Sequence, residues 1–221
     1  MVWTQRFITD IRQQVPRFRY HGIDVVAHVV EANKAKFARD PLTEIHIGDM
    51  TSDPIPEGFD MILSRDALQH LTFKQIHGAL RRFAESDAAW TVIGHYPTTT
   101  TNRNLDTAGT NHFDINLQAP PFNLKPDEIL VENKQVHQAT DHAKHLAVFK
   151  KGSLMANTDW ASMELKIFGR VVTTAPVSIK VPVEVGAMQV AVDSGAVPAL
   201  QNRRSQQAVG GGGGGGRGAV S

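Results

Sequence analysis

Three aspartates stand at the ends of segments that are patterned as buried β-strands. Asp24 lies near the end of the first segment, Asp49 follows the second and Asp66 follows the third. A carboxylate at the tip of the second strand of a nucleotide-binding unit can accept hydrogen bonds from both ribose hydroxyls. The alternative for Asp24 and Asp49 is a local one, in which the carboxylate caps the next helix. Taken in order, the three predict a nucleoside site at one edge of a sheet.

The segments that carry these aspartates alternate between strand-like and helix-like patterns. Apolar periodicity predicts helices over 3–15, 27–37 and 72–85, and strands over 20–26, 43–47, 59–63 and 89–96. Two further apolar runs, 128–136 and 145–149, have no helix between them and predict an antiparallel edge hairpin. This alternation predicts an α/β fold, with a Rossmann-like, mostly parallel sheet and helices on both faces. Ligands of such sheets bind at the carboxyl ends of the strands, where the aspartates lie.

Composition excludes several classes of chemistry. The 221 residues include no Cys, which excludes disulfides, Cys-ligated zinc and thiol nucleophiles. A formal net charge of +1 gives no general attraction to nucleic acid or acidic membranes. The ten His show no metal-binding spacing, so no metal site is predicted. With no secretory signal and no apolar run of about 18 residues, we expect a soluble, cytoplasmic protein.

Six sequence blocks occur in an order typical of one known family. They are GIDVV, IGDMT, FDMILSRDALQHL, WTVIGHYP, NHFDINLQAPPFNL and KHLAVF. In this order they resemble the class I S-adenosylmethionine-dependent methyltransferases, and more narrowly a subgroup with GxDVV, RDxLQHL and PPF motifs. The resemblance covers residues 1 to about 150, and its most specific block is SRDALQHL at 64–71.

The resemblance implies that the cofactor is S-adenosyl-L-methionine and assigns residues to it. Asp24, with Val25 beside it, would bind the ribose hydroxyls. Asp49 and Met50 would meet the adenine, and Arg65 would face the methionine portion. These five residues are the expected cofactor-binding set.

On the acceptor side, the resemblance places Asp66, Gln69 and His70 where a substrate would enter. His70 and Asp66 are the expected catalytic residues, although local hydrogen bonding at a helix start explains His70 equally well. The long polar connection after the fourth strand would help to cover the site. Within it, Asn102 and Arg103 are, with Gln69, the expected substrate contacts.

One part of the family pattern is missing ahead of Gly22. Family members open with a strand and a glycine-rich loop, which lets the backbone approach the methionine end of the cofactor. Here the first helix corresponds to the one after that loop, so we expect a chain truncated at its N terminus and a sheet that lacks its usual first strand. That strand is normally central, between the strands of Asp24 and Asp66. Either the flanking strands pair directly, or a strand from the alternating segment 177–192 fills the slot.

The predicted organisation has three parts. Residues 1–150 form the methyltransferase-like domain, 151–200 are an appended segment, and 201–221 are a glycine-rich tail that we expect to be disordered. The predicted function is methyl transfer to a small-molecule or protein acceptor, with no nucleic-acid or membrane partner. One alternative is an inactive remnant or binding module without the cofactor loop. Another is a nicotinamide-dependent enzyme, which is disfavoured because it also requires a glycine fingerprint.

Overall fold

Seven strands and five helices make up the regular structure in the computed structural model, which describes residues 2–105, 112–132, 144–171 and 189–193. The strands are β1 Arg19–Asp24, β2 Thr43–Ile47, β3 Met61–Ser64, β4 Trp90–His95, β5 Glu128–Val131, β6 His145–Lys150 and β7 Gln189–Asp193. The helices are α1 Val2–Gln14, α2 Ala27–Phe37, α3 Phe73–Glu85, α4 Ser153–Ala156 and α5 Trp160–Phe168, with a 3-10 turn over Leu68–His70. Within these described ranges, no helix is long and apolar enough to cross a membrane.

Local sequence explains where helix α3 begins. The Thr72 side chain accepts a hydrogen bond from the Gln75 backbone N–H, and the Gln75 side chain accepts one from the Thr72 backbone N–H. This capping box satisfies two N–H groups that a helix start leaves without partners. The apolar stripe of α3 then buries Ile76, Leu80 and Phe83.

The strands form one mixed sheet in the order β2-β1-β7-β3-β4-β6-β5. Strand β1 runs parallel to β2, and β3 runs parallel to β4. Strand β6 is antiparallel to both β4 and β5, which confirms the predicted edge hairpin. The α/β fold class is therefore as predicted. Residues 133–136 of the predicted run 128–136 lie outside the described residues.

Strand β7 fills the central slot of the sheet. It lies parallel to β1 along five residue pairs and parallel to β3 along three. The strand that the sequence lacks near its start is thus replaced by one from the other end of the chain. The sequence left two ways to fill this slot open. Strands β1 and β3 do not pair directly, and the segment 177–192 supplies β7 from its C-terminal end. Residues 177–188 of that segment lie outside the described part of the chain, as does the glycine-rich tail.

Helices cover both faces of the sheet. Neighbouring strand residues alternate between two apolar clusters, with Ile62 in one and Leu63 in the other, because successive side chains point to opposite faces. The larger cluster packs α3, α4 and α5 on one face, and the smaller one packs α1 and α2 on the other. Leu154 and Met163 belong to the larger cluster. The segment directly after residue 150 therefore contributes to the same core, although the predicted boundary there stays a prediction.

A buried charged group joins α3 to α5. The Glu164 carboxylate is 0% exposed and accepts a hydrogen bond from Arg81 Nη2 at 2.9 Å. The same carboxylate oxygen lies 3.2 Å from His77 Nε2. The Arg81 guanidinium stacks over the Trp160 ring, 4.2 Å from its centroid. Glu164 therefore holds a cation and an imidazole between two helices.

Candidate active site

The polar residues of interest gather at one edge of the sheet. Parallel strands β1, β2, β3 and β4 all end there. Because β6 is antiparallel to β4, its first residue, His145, pairs with the last residue of β4, His95. Val131, the last residue of β5, pairs with His145, so Lys144 and Glu132 reach the same edge. This edge brings together side chains that are far apart in the sequence.

Asp24 and Asp49 lie at the ends of neighbouring strands. The Gly48 backbone N–H, directly before Asp49, donates to the Asp24 carbonyl oxygen at 3.2 Å. The Asp24 side chain is buried, and its Oδ1 accepts a hydrogen bond from the Val26 N–H at 2.8 Å, directly before α2. The contact is local, but it does not cap α2, whose N-cap residue Val26 has no side-chain cap hydrogen bond. Val25 is 62% exposed. Asp24 and Asp49 are therefore as close as a shared nucleoside site requires. The binding roles of Asp24, Val25 and Asp49 stay predictions.

Asp49 and Met50 border a cleft of about 320 Å³ on the β1–β2 side of the sheet. The Asp49 Oδ1 accepts from the Thr51 N–H at 2.8 Å, and the Asp49 N–H donates to Asp53 Oδ2 at 2.8 Å. Gly78 of α3 allows this loop to lie close, because a Cβ at that position would sit 2.4 Å from the Thr51 carbonyl oxygen. The lining residues are His21, Ile23, His46, Ile47, Gly48, Asp49, Met50, Asp53, Pro54, Ile55 and Pro56.

An ion-pair network joins the residues that follow β3 and β5 at this edge. Arg65 donates to both oxygens of Glu132, with Nε–Oε1 at 2.7 Å and Nη2–Oε2 at 3.0 Å. Arg65 Nη1 also donates to Asp66 Oδ2 at 2.8 Å, and Lys144 Nζ pairs with Asp66 Oδ1. Both carboxylate oxygens of Asp66 therefore face a cation. Asp66 is one of the two expected catalytic residues, and that role stays a prediction.

Tyr96 completes this side of the site. It follows β4, and Lys144 Nζ lies 5.5 Å from its ring centroid. Burial, together with the carboxylates of Asp66 and Asp114, raises the pKa of Tyr96 and keeps its hydroxyl protonated. Sequence reasoning did not single out Tyr96, Lys144 or Glu132. The available signal was the position of Tyr96 at the end of the predicted strand 89–96.

Gln69 and His70 lie in the 3-10 turn that follows Asp66. The Gln69 carbonyl accepts a hydrogen bond from the Phe113 N–H at 3.1 Å, which ties this turn to the described segment 112–132. The His70 and His112 ring centroids are 6.0 Å apart. Both residues are only partly buried, and their substrate and catalytic roles stay predictions.

Two asparagines organise the connection after β4. Asn102 Nδ2 donates to the carbonyls of Asn116 and Pro120, both at 2.8 Å, and its Oδ1 accepts from the Asn116 N–H at 2.8 Å. Asn116 Nδ2 donates in turn to the Thr99 carbonyl at 2.9 Å. Asn102 is therefore committed to the loop backbone, whereas Arg103 is exposed. Their substrate contacts stay predictions.

Replacing His95 with leucine is expected to reduce the loss of stability in acid. His95 is fully buried, and burial with repulsion from His145 lowers its pKa from 6.5 to about 4. The unfolded imidazole takes up its proton at the higher pH, so the native protein loses stability as pH falls from about 6.5 to about 4. This loss reaches ~3 kcal/mol. Urea unfolding at about pH 7 and about pH 4.5 measures it. An equal loss in His95→Leu would contradict this assignment.

Comparison with known proteins finds one family model that matches part of this chain. Residues 4–86 match the family model described as "Methyltransferase domain". No curated protein matches the chain. The matched segment contains Asp24, Asp49, Asp66 and His70.

Several solved structures are similar at low identity. TehB from Haemophilus influenzae is 12% identical with a TM-score of 0.43, over 60% of this chain and 50% of that chain. The O-methyltransferase from a trans-AT PKS multienzyme of Brevibacillus brevis, in complex with S-adenosyl-L-homocysteine, is 13% identical with a TM-score of 0.47, over 77% and 76%. An O-methyltransferase family 2 protein from Planctomyces limnophilus DSM 3776, in complex with apigenin, is 17% identical with a TM-score of 0.43, over 64% and 45%.

This chain thus spans about half the length of TehB and of the Planctomyces limnophilus protein. The match over residues 4–86 covers the strands and loops on which the resemblance depends most. Residues 4–86 match a methyltransferase-domain model, which supports the predicted resemblance of this chain to class I S-adenosylmethionine-dependent methyltransferases.

Proposed function

We propose that this chain binds S-adenosylmethionine at the sheet edge and transfers its methyl group to an acceptor. The observation that carries the proposal is that Asp24 and Asp49 end neighbouring strands, joined by the hydrogen bond from Gly48 to Asp24. Carboxylates accept the hydrogen bonds that a ribose diol donates. The cleft beside Asp49 and Met50 offers both polar and apolar contacts, which suits an adenine ring.

Strand β7 supports the proposal by closing the gap in the sheet. It is parallel to β1 and β3, so its carboxyl end lies at the same edge, between the strands of Asp24 and Arg65. Ile23, directly before Asp24, pairs with Asp193. In open α/β sheets the ligand lies over the ends of such central strands. A central strand is therefore available at this edge.

S-adenosylmethionine supplies an electrophilic methyl group on a sulfonium. The residues of this chain would orient it and the acceptor in line, because proximity and alignment provide most of the acceleration in such a displacement. A base is needed only where the acceptor is protonated. His70 is the candidate for that role, since the Asp66 carboxylate is ion-paired on both oxygens. Tyr96 would contribute a neutral hydroxyl donor.

Calorimetric titration of the full chain with S-adenosylmethionine tests the proposal. We expect micromolar affinity, and a loss of about tenfold or more in Asp24→Ala and in Asp49→Ala, because each removes a charged hydrogen-bond acceptor. Asp10→Ala is the matched control, since Asp10 is exposed on α1 and pairs only weakly with Arg6. Circular dichroism verifies that each variant is folded.

The absence of binding heat at millimolar S-adenosylmethionine would refute the proposal. That result would favour the alternative of a binding module that keeps the fold without the cofactor. Equal affinity in the wild type and in both aspartate variants would show that the ligand binds elsewhere.

A further inference from the structure

Three side chains with metal-ligand chemistry converge on strands β1 and β2. His21 pairs directly with Glu44 across the ladder, and His46 follows two residues later on β2. Residues in these positions share one face of a sheet, because side chains alternate with a period of two. Two of the three, His21 and His46, also line the cleft described above.

The ligand atoms already stand close together. Glu44 Oε2 lies 3.7 Å from His21 Nδ1 and 3.4 Å from His46 Nε2. One nitrogen from each ring and one carboxylate oxygen all lie within 4.8 Å of one another. The two imidazole rings are stacked, with centroids 4.4 Å apart and planes inclined by 9°.

These separations fit a tetrahedral ion. Ligand bonds of about 2.0–2.1 Å to Zn²⁺ place neighbouring ligand atoms roughly 3.3 Å apart. The two distances to Glu44 exceed this value by only a few tenths of an ångström. Metal binding also requires the His46 ring to turn out of the stack so that both nitrogen lone pairs point at one ion. Glu44 and His46 are 55% and 51% exposed, which leaves room for these side chains to rotate.

The electrostatic surroundings also favour a cation. Asp49 and Asp53 lie in the same cleft and add negative charge. The Arg19 guanidinium opposes this effect, since its Nη2 lies 3.7 Å from Glu44 Oε1. It faces the oxygen of Glu44 that points away from the two histidines.

We propose that His21, Glu44 and His46 form a binding site for one divalent transition-metal ion, with Zn²⁺ as the ion that suits it. Two imidazoles and one carboxylate favour zinc and its neighbours over Mg²⁺ or Ca²⁺, which take oxygen ligands. Three protein ligands leave one tetrahedral position for water or a ligand atom from the cleft. The ion bridges edge strand β2 to β1. The site borders the cleft proposed for adenine, but the metal proposal does not depend on S-adenosylmethionine binding.

Titration of the full chain with ZnCl₂, after dialysis against a chelator, tests the site. We expect one equivalent to bind, and an affinity at least about tenfold lower in His46→Ala and in Glu44→Gln, because each removes one ligand. Zinc should also raise the Tm of the wild type, because it binds only the folded site. His28→Ala is the matched control, since His28 is an exposed histidine on α2.

A second metal, Co²⁺, distinguishes binding at this site from binding at other histidines. Co²⁺ bound to two imidazoles and a carboxylate in tetrahedral geometry absorbs visible light much more strongly than octahedral Co²⁺ in solution does. We expect this absorption in the wild type and in His28→Ala, and its loss in His46→Ala. Wild-type zinc affinity in both His46→Ala and Glu44→Gln, or no binding by the wild type, would overturn the proposal.

Discussion

A chain that ends at residue 188 is expected to lose its cooperative unfolding transition. It lacks β7, which pairs with β1 along five residues and with β3 along three. At a net value of about 1 kcal/mol for each ladder hydrogen bond, the loss is comparable to the whole stability of a typical domain, about 5–15 kcal/mol. Circular dichroism during thermal and urea unfolding measures the effect.

A chain that ends at residue 200 is the control, because it keeps β7 and removes only residues outside the described part. We expect it to unfold like the full chain. The point variant Val192→Pro tests the same idea without shortening the chain. Residue 192 pairs with Gly22 on one side and Leu63 on the other, and proline removes a ladder N–H from a central strand. Equal Tm values for the full chain and the chain ending at 188 would show that β7 is dispensable.

Replacing Glu164 with alanine is expected to destabilise the protein by about 3 kcal/mol. The buried carboxylate accepts from Arg81 and lies beside His77, so its loss leaves a guanidinium without its partner between α3 and α5. Removing one partner of a buried pair is costly because the remaining charge is no longer compensated. For a chain of this size, the change corresponds to a fall in Tm of about 6–12 °C, which calorimetry measures.

The matched control is Glu85→Ala on α3. Glu85 also pairs with an arginine, Arg82, but both side chains are 39% exposed. Exposed pairs contribute little because water and salt screen them, so we expect a change within about 0.5 kcal/mol. Similar losses in Glu85→Ala and Glu164→Ala would mean that burial at the α3–α5 contact does not determine the effect.

The local sequence was sufficient to predict most elements. The predicted bounds of α2 and β2, 27–37 and 43–47, match the structure, and Thr72 caps α3 as expected. These features depend on residues within one or two turns of each other. The antiparallel hairpin at the sheet edge was also predictable, because two apolar runs without an intervening helix leave few other topologies.

The candidate site depends on contacts between residues that are far apart in the sequence. The periodicity of apolar residues does not predict such contacts. Arg65 and Glu132 are 67 residues apart and meet only because β3 and β5 end at one edge. His21 and Glu44 become neighbours through the register of two strands joined by a helix. Alternation marked the segment 177–192 as strand-like and the resemblance located the gap in the sheet, but only the pairing of β7 with β1 and β3 shows which repair occurs.

The position of β7 has a consequence for how the protein is made. Strands β1 and β3 leave the ribosome well before their shared neighbour is translated. The apolar faces of α1 and α3 are therefore made early, whereas completion of the sheet must await translation of β7. Folding that depends on such late, long-range contacts is slow, and the waiting chain is prone to self-association. Newly synthesised copies should accordingly rely on chaperones more than their modest size suggests.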